Sequence, residues 1–342
     1  MLDRSLPLAI TMEGALGLPF GKMGYGVLRY SPNPIACLID STHAGEDHRP
    51  LSGIERPCPV VASVREAADL GARVLVLGIA PPGGLIPAEW LPGIDEAVRL
   101  GLCVVNGLHD RLAPRYPSLS PGQWIWDIRV EPEGLGVAKA EAAGLANRRV
   151  LMIGTDMAVG KMTAGLEMHR AALARGIRAE FVATGQIGIT IMGRGVPLDA
   201  VRVDYAAGAI EREVMAVRDA ELVIVEGQGA LIHPGSSANL PLLRGACPTH
   251  LVLCHRAGAT GLMRLPHIKI PPLRDYLRLY EELSEACGTF PRARACAVAL
   301  NTAGLSHQAA LEAAQAIEDE TGLPCVDPLR HGAEPLVDAV LA

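Results

Sequence analysis

Two α/β domains, each a mostly parallel sheet in three α/β/α layers, are what this sequence predicts. Three observations carry that reading. The chain has 342 residues, which at ~100–200 residues per domain points to two. Hydrophobic residues make up 49% and aromatic residues only 4%, so the cores are aliphatic, as suits parallel sheets buried on both faces. Short aliphatic runs alternate with helical stretches along the chain, the pattern of successive β–α–β units with right-handed crossovers.

In order along the chain, strands are expected at residues 34–40, 60–62, 74–80, 103–106 and 124–129. Helical spacing occupies 64–70 and 94–101, with Gly71 and Gly101 as stops. Residues 131–147 are rich in Gly, Ala and Glu without a strand pattern and are expected to form the linker, with the domains at 1–145 and 146–342. The second half opens with a strand at 149–154, a glycine loop and a helix over 161–175. Later strands are expected at 179–184, 222–226, 250–255, 296–301 and 324–327, with helices at 206–217, 273–287 and 306–321. No internal repeat or low-complexity segment is visible.

Composition narrows the function classes. The net charge of −6 and the lack of a clustered basic face argue against nucleic acid. The eight cysteines include no C-x-x-C pair, and several sit in apolar runs, so buried, reduced, structural thiols are expected and no metal site. There is no signal-peptide pattern and no apolar run near the ~18 residues of a membrane span. A cytoplasmic protein acting on a small molecule, without membrane contact, is the expectation.

The most informative segment is Gly154-Thr155-Asp156-Met157-Ala158-Val159-Gly160-Lys161. Strand, glycine loop, Gly-Lys and helix is the context of a phosphate-binding loop. Glycines let backbone N–H groups point inward, the following helix adds its positive end, and Lys161 supplies a point charge. The predicted cofactor contacts are Gly154, Thr155, Asp156, Ala158, Val159, Gly160, Lys161, Met162 and Thr163. Five residues, not four, separate Gly154 from Gly160, and Met162 stands where nucleoside triphosphatases place the hydroxyl that holds Mg²⁺. One step along a helix turns Thr163 away by ~100°, so phosphate cradling is expected and Mg²⁺ binding is not. The longer loop is similar to that of dethiobiotin synthetase and its relatives.

Other strand ends carry further candidates. "ELVIVEGQGALIHPG" places Glu226 at the end of an aliphatic strand with His233 in the same loop; both are candidate catalytic residues. Gly227, Gln228 and Gly229 allow close ligand approach, and "ATGQIGIT" puts Gln186 after another strand. His255 and Arg256 end a third, where Arg256 could grip a carboxylate or form only a surface pair. Gln186, Gly227, Gln228, Gly229, His255 and Arg256 form the predicted substrate set. Asn301 could contact a base or simply form a turn. Asp204 reads as a helix cap or as a ligand contact. In the first half, Asp40, Ser41, His43, the Pro81-Pro82-Gly83-Gly84 turn, Asn106, His109, Asp110 and Arg111 follow strands and could touch ligand or cap local structure.

The motifs "GTDMAVGKMTAGLEMHRAALARGIRAEFVATGQIGI", "VDYAAGAIEREV", "VEGQGALIHPGSSANLPLLRGACPTHLVLCH", "GIAPPGGLIPAEW" and "GLHDRL" resemble the DgcN-type family, long catalogued only as a domain of unknown function. The resemblance runs from about Pro34 to the C-terminus. It departs from the family at "SSANLPLLRG", where members carry a Tyr-Ser-Gly stretch followed by Thr-Leu-Gly. It implies a Rossmann-like N-terminal domain, a P-loop NTPase-like C-terminal domain, and an acyltransferase that moves acetyl from acetyl-CoA to D-glutamate in D-amino-acid catabolism, its product passing to a separate dehydrogenase-type enzyme. A symmetric homo-oligomer is expected of such an enzyme. Two rivals share the loop: a Mg-ATP-dependent ligase or kinase of the dethiobiotin synthetase type, and a non-catalytic nucleotide or CoA sensor.

Overall fold

The structure is a computed structural model and describes residues 2–342. It divides into two units. The first comprises Met1–Val130 with Gln186–Ala200, the second Glu131–Gly185 with Val201–Ala342.

In the first unit the chain runs β1 (Leu8–Thr11), α1 (Lys22–Tyr30), β2 (Ile35–Ile39), α2 (Arg49–Ser52), β3 (Val60–Val61), α3 (Val64–Asp69), β4 (Val74–Leu77), α4 (Leu91–Arg99), β5 (Cys103–Asn106) and β6 (Ile125–Asp127). The six strands form one parallel sheet in the order β3-β2-β1-β4-β5-β6. Every residue of β4 and β5 is buried, which is why these strands read as short runs of Val, Leu and Cys, closed in β5 by Asn106. Ser63 caps α3 by accepting the Glu66 N–H, and Glu66 reaches back to accept the Ser63 hydroxyl and the Ala62 N–H, a relative of the capping box shifted by one residue.

The central strand, β1, was not among the expected ones: four residues behind Pro7 are too short a run to show a period. The helix after it was also missed, because Gly24 and Gly26 weaken its pattern. Gly24 is there for a steric reason. A Cβ at that position would lie 2.1 Å from Met12 Sδ, and the Gly24 N–H donates to Gly78 O at 2.7 Å. The helix lies so close to the strand ends that no side chain fits.

The second unit begins earlier than expected, at 131 rather than 146. The stretch read as a linker is held by buried Glu211, whose carboxylate accepts the N–H groups of Lys139 (2.8 Å) and Glu141 (2.7 Å). It is fastened by side chains rather than by a ladder, so it shows no strand periodicity. The chain then runs β7 (Arg148–Gly154), α5 (Lys161–Ala174), β8 (Ala179–Val182), α6 (Gln186–Met192, part of the first unit), α7 (Val203–Met215), β9 (Leu222–Val225), α8 (Asn239–Ala246) and β10 (His250–Arg256). A small antiparallel hairpin, β11 (Gly261–Leu262) with β12 (Leu265–Lys269), follows. The rest is α9 (Leu273–Glu285), β13 (Arg294–Asn301), α10 (His307–Thr321), β14 (Cys325–Val326), α11 (Pro328–His331) and α12 (Glu334–Leu341). The main sheet is parallel, ordered β14-β13-β10-β7-β9-β8. The strand feeding the phosphate loop thus sits inside the sheet, and α5 packs with α11 and α12 while α7, α8 and α9 pack in series.

Arg149 closes the start of β7. It is 1% exposed and donates from Nε to the carbonyls of Ala246 and Cys247, and from Nη1 to those of Leu145 and Asn147. Two of those carbonyls end α8, where a cation complements the negative end of the helix. Among the described residues no helix is long and apolar enough to cross a membrane.

Candidate functional site

Because all strands of the second sheet are parallel, their C-terminal ends share one edge, and in open α/β sheets that is the ligand edge. The predicted residues of the second unit gather there. Gly154 ends β7 beside Cys254 of β10, Glu226 follows β9, and Asn301 ends β13 opposite Arg256.

The loop from Thr155 to Gly160 has the geometry of a cradle. Ala158 and Gly160 adopt positive φ, +55° and +110°, which turns successive N–H groups toward the inside of the loop. The helix α5 starts at Lys161. Lys161 is buried and its Nζ donates to Asp156 O at 2.8 Å, so the ammonium lies across the loop it closes. Burial pushes its pKa down, with Cys254, Asp156 and Glu226 acting the other way. Two glycines make room for this side chain. A Cβ on Gly154 would lie 2.9 Å from Lys161 Nζ, and one on Gly227 would lie 3.1 Å from Lys161 Cδ and 1.6 Å from Met152 O. Met162 and Thr163 are half-buried on α5.

Three residues act as struts for the loop, two within it and one from α9. Thr155 Oγ1 and His255 Nδ1 are hydrogen-bonded at 2.9 Å in the interior, and burial lowers the His255 pKa, keeping the ring neutral. Asp156 accepts the Met157 N–H through Oδ1 and the Met263 N–H through Oδ2, at 2.6 and 2.8 Å. It therefore fastens the β11–β12 hairpin to the loop. Tyr276 on α9 donates to Gly154 O (3.0 Å) and accepts the Leu231 N–H (3.1 Å), joining the loop to the segment that carries His233.

Glu226 is the buried acid of the site. Its Oε2 accepts the N–H groups of Thr184 (2.9 Å) and Gly185 (3.0 Å), while Thr184 Oγ1 donates to the Glu226 carbonyl (2.8 Å) and accepts from Gln228 Nε2 (3.1 Å). Burial raises its pKa from 4.5 to about 7 against the pull of those N–H donors and of Lys161. A carboxyl balanced at that value can take or give a proton at neutral pH. Gly185 leaves no spare room beside it: a Cβ there would lie 2.7 Å from Gln228 Nε2 and 3.3 Å from Glu226 Oε1.

Other predicted residues fall elsewhere or do other work. His233 is half-buried, and its Nδ1 accepts the Gly235 N–H at 3.1 Å, a local turn contact. Arg256 is exposed at the end of β10. Asn301 Oδ1 accepts the Ala303 N–H at 3.0 Å, the turn-forming alternative. Gln186 belongs to the first unit, unlike the rest of the predicted substrate set. Among the first-half candidates, Asp40 binds the Thr42 N–H and hydroxyl, Asn106 holds Asp110 O and Asp127 Oδ1, and Asp110 accepts the Ile86 N–H. Asp40 clamps its own loop, while Asn106 and Asp110 also tie theirs to Asp127 and Ile86, 21 and 24 residues away. Thr184 and Tyr276 were missed as site residues; only the position of Thr184, between a strand and Gly185, could have flagged it. Among the described residues no cluster of three or more His, Cys, Asp or Glu is placed to hold a metal ion.

Comparison with known proteins adds to this geometry. The P-loop domain of DUF1611, described as a domain of unknown function, matches residues 136–337, and the Rossmann-like DUF1611 N-terminal domain matches residues 41–131. A D-glutamate N-acetyltransferase of a Pseudoalteromonas species is 36% identical over 280 residues, covering 80% of this chain and 83% of that protein. Another, from Tritonibacter scottomollicae, is 36% identical over 290 residues, covering 82% and 84%. A crystal structure of a DUF1611 family protein from Anabaena variabilis has a TM-score of 0.94 at 48% identity, covering 98% of this chain and 99% of that one. The chain therefore belongs to the DUF1611 family, a Rossmann-like domain followed by a P-loop domain.

Proposed function

We propose that this protein is a cytoplasmic N-acetyltransferase that moves the acetyl group of acetyl-CoA to the amino group of D-glutamate, a step of D-glutamate catabolism. The observation that carries the reading is Glu226: a buried carboxyl beside Lys161 and the glycine loop, its pKa raised by burial to about 7. The two relatives named for this activity support it.

In this reading the pyrophosphate of CoA lies in the amide-lined loop from Thr155 to Gly160, against Lys161 and the start of α5. No metal is needed to hold it, which agrees with Met162 in the position after Lys161. The Glu226 carboxylate takes a proton from the substrate ammonium. The free amine attacks the thioester carbonyl, and the tetrahedral oxyanion is met by backbone N–H groups among Gly227, Gln228 and Gly229. On collapse the CoA sulfur leaves and takes up the second proton of the former amine as its thiol, the amide forms, and the first proton remains on Glu226 for return to solvent. Thr184 and Gly185 orient the carboxylate, and exposed Arg256 is available to a substrate carboxylate. His233, tied into its own turn, has the weaker claim to the role of base.

The test is thiol release by the purified protein from acetyl-CoA with D- or L-glutamate, with and without ATP and Mg²⁺. Release that depends on D-glutamate and ignores ATP is expected. Release that requires ATP, or none with either enantiomer, overturns the proposal.

A further inference from the structure

The first unit holds a cavity of about 270 Å³ that the proposed chemistry does not use. Thr11, Ile39 and Leu77, the last residues of β1, β2 and β4, open onto it. The strand order reverses direction at β1 and β4, so the cavity stands at the sheet's topological switch point, where open α/β folds bind ligands. Its volume, just below the ~300–1,000 Å³ of drug-sized sites, suits a small ligand.

The walls define what fits. Leu75 and Ile79 from the sheet side, Ile94 of α4 and the indole of Trp90 make the interior apolar, Thr11 and Ser63 add hydroxyls, and the charged groups are Glu13, Glu89 and Glu96. No Lys, Arg or His is among the described residues that line it. Arg65 is ion-paired with Glu96 at 3.5 Å; among the described residues no Lys or Arg is paired with Glu13 or Glu89. Glu13 is fixed in place, accepting the N–H (2.8 Å) and the hydroxyl of Ser41. Nor does the β1–α1 loop offer a phosphate cradle. The N–H groups of Ala15 and Leu18 go to loop carbonyls, and that of Gly17 goes to the Tyr25 hydroxyl.

Gly93 keeps room in this cavity. It lies in the first turn of α4 without a positive φ, and glycine is a poor helix former. Packing does not require it, since a Cβ there would meet only Val64 Cγ2, at an ordinary 3.9 Å. Both residues line the cavity. What the missing side chain preserves is empty space inside the cavity.

We infer that this cavity is a binding site for a small organic cation, an amine with a compact apolar body. The apolar body fills the space kept open by Gly93, and the ammonium faces Glu13 and Glu89. Anions, CoA and glutamate among them, are repelled there, so the site differs from the phosphate loop in the unit that carries it and in charge preference.

The test is calorimetric titration of the full-length protein with phenethylamine, 2-phenylethanol and 3-phenylpropionate, three probes of similar size and different charge. The expected result is saturable phenethylamine binding at least tenfold tighter than that of the alcohol, and none of the carboxylate. Gly93→Leu fills the cavity and abolishes binding with the melting temperature retained. Glu89→Gln, on an exposed side chain, weakens the amine several-fold and leaves the alcohol unchanged. No saturable amine binding to the wild type, equal binding of the three probes, or full amine affinity in either variant overturns the inference.

Discussion

Neutralising Glu226 by Glu226→Gln is the perturbation with the most to say about this site. The folded pKa of about 7 against an ordinary 4.5 means that the native state holds a proton the unfolded chain gives up. At about 1.4 kcal/mol per pKa step, that difference corresponds to about 3 kcal/mol. The sign follows from linkage: the group's contribution is fully present below pH 4.5 and is lost as pH rises through about 7. Glutamine keeps an acceptor for the Thr184 and Gly185 N–H groups but cannot ionise. Wild type minus variant stability, from urea denaturation at pH 4.5 to 8, should therefore fall by about 3 kcal/mol across that window. In kinetics, wild-type kcat/KM should rise with pH to a plateau above an apparent pKa near 7. The variant should lose about 10²–10⁴-fold at the plateau, the usual contribution of a positioned base, and should lose that limb as well. A stability difference flat with pH, or an acid limb below pH 5.5, would refute the assignment of Glu226 as a buried, neutral-poised base.

Lys161→Ala should raise KM for acetyl-CoA by roughly 10–100-fold with kcat nearly unchanged, since a bond to a charged group is worth about 1.5–3 kcal/mol; steady-state kinetics checks it. Gly227→Ala drives a methyl to within 1.6 Å of Met152 O, so backbone must move, and a loss of about 3 kcal/mol, the upper end of the usual overpacking cost, is expected in denaturant titration. Tyr276→Phe leaves Gly154 O and the Leu231 N–H without their shared partner; it should cost about 1–3 kcal/mol of stability and raise KM for acetyl-CoA by loosening the loop. Arg149→Met removes the donors to four backbone carbonyls and should lower the melting temperature by several degrees without changing the pH profile of activity.

The parts of this molecule that could be read in advance are those where chemistry or periodicity is local. The phosphate loop declared itself by glycines, lysine and flanking elements. Strands such as Val74–Leu77 and Leu222–Val225 declared themselves because both faces are buried. What escaped depends on packing between distant segments. The strand Leu8–Thr11 is central only because β2 and β4 pair with it on either side. Gly24 looks like a helix breaker until Met12 and Gly78 are seen against it. Tyr276 reads as one more apolar position of an amphipathic helix, and only the fold brings its hydroxyl to Gly154. Asp156 resembled a ligand contact in sequence, yet its acceptors are taken by main-chain N–H groups, one of them from Met263 in a distant hairpin.

The excursion of residues 186–200 bears on how the protein is made. The helix α6 packs on α1, and its buried residues Gly188, Ile189, Thr190 and Ile191 belong to the first unit. A ribosome that has released residue 130 has not yet supplied them. It must first deliver β7, the phosphate loop, α5 and β8. The two halves therefore mature in an interleaved order instead of one after the other. For the same reason no single cut in the chain, by protease or by gene truncation, leaves both units whole.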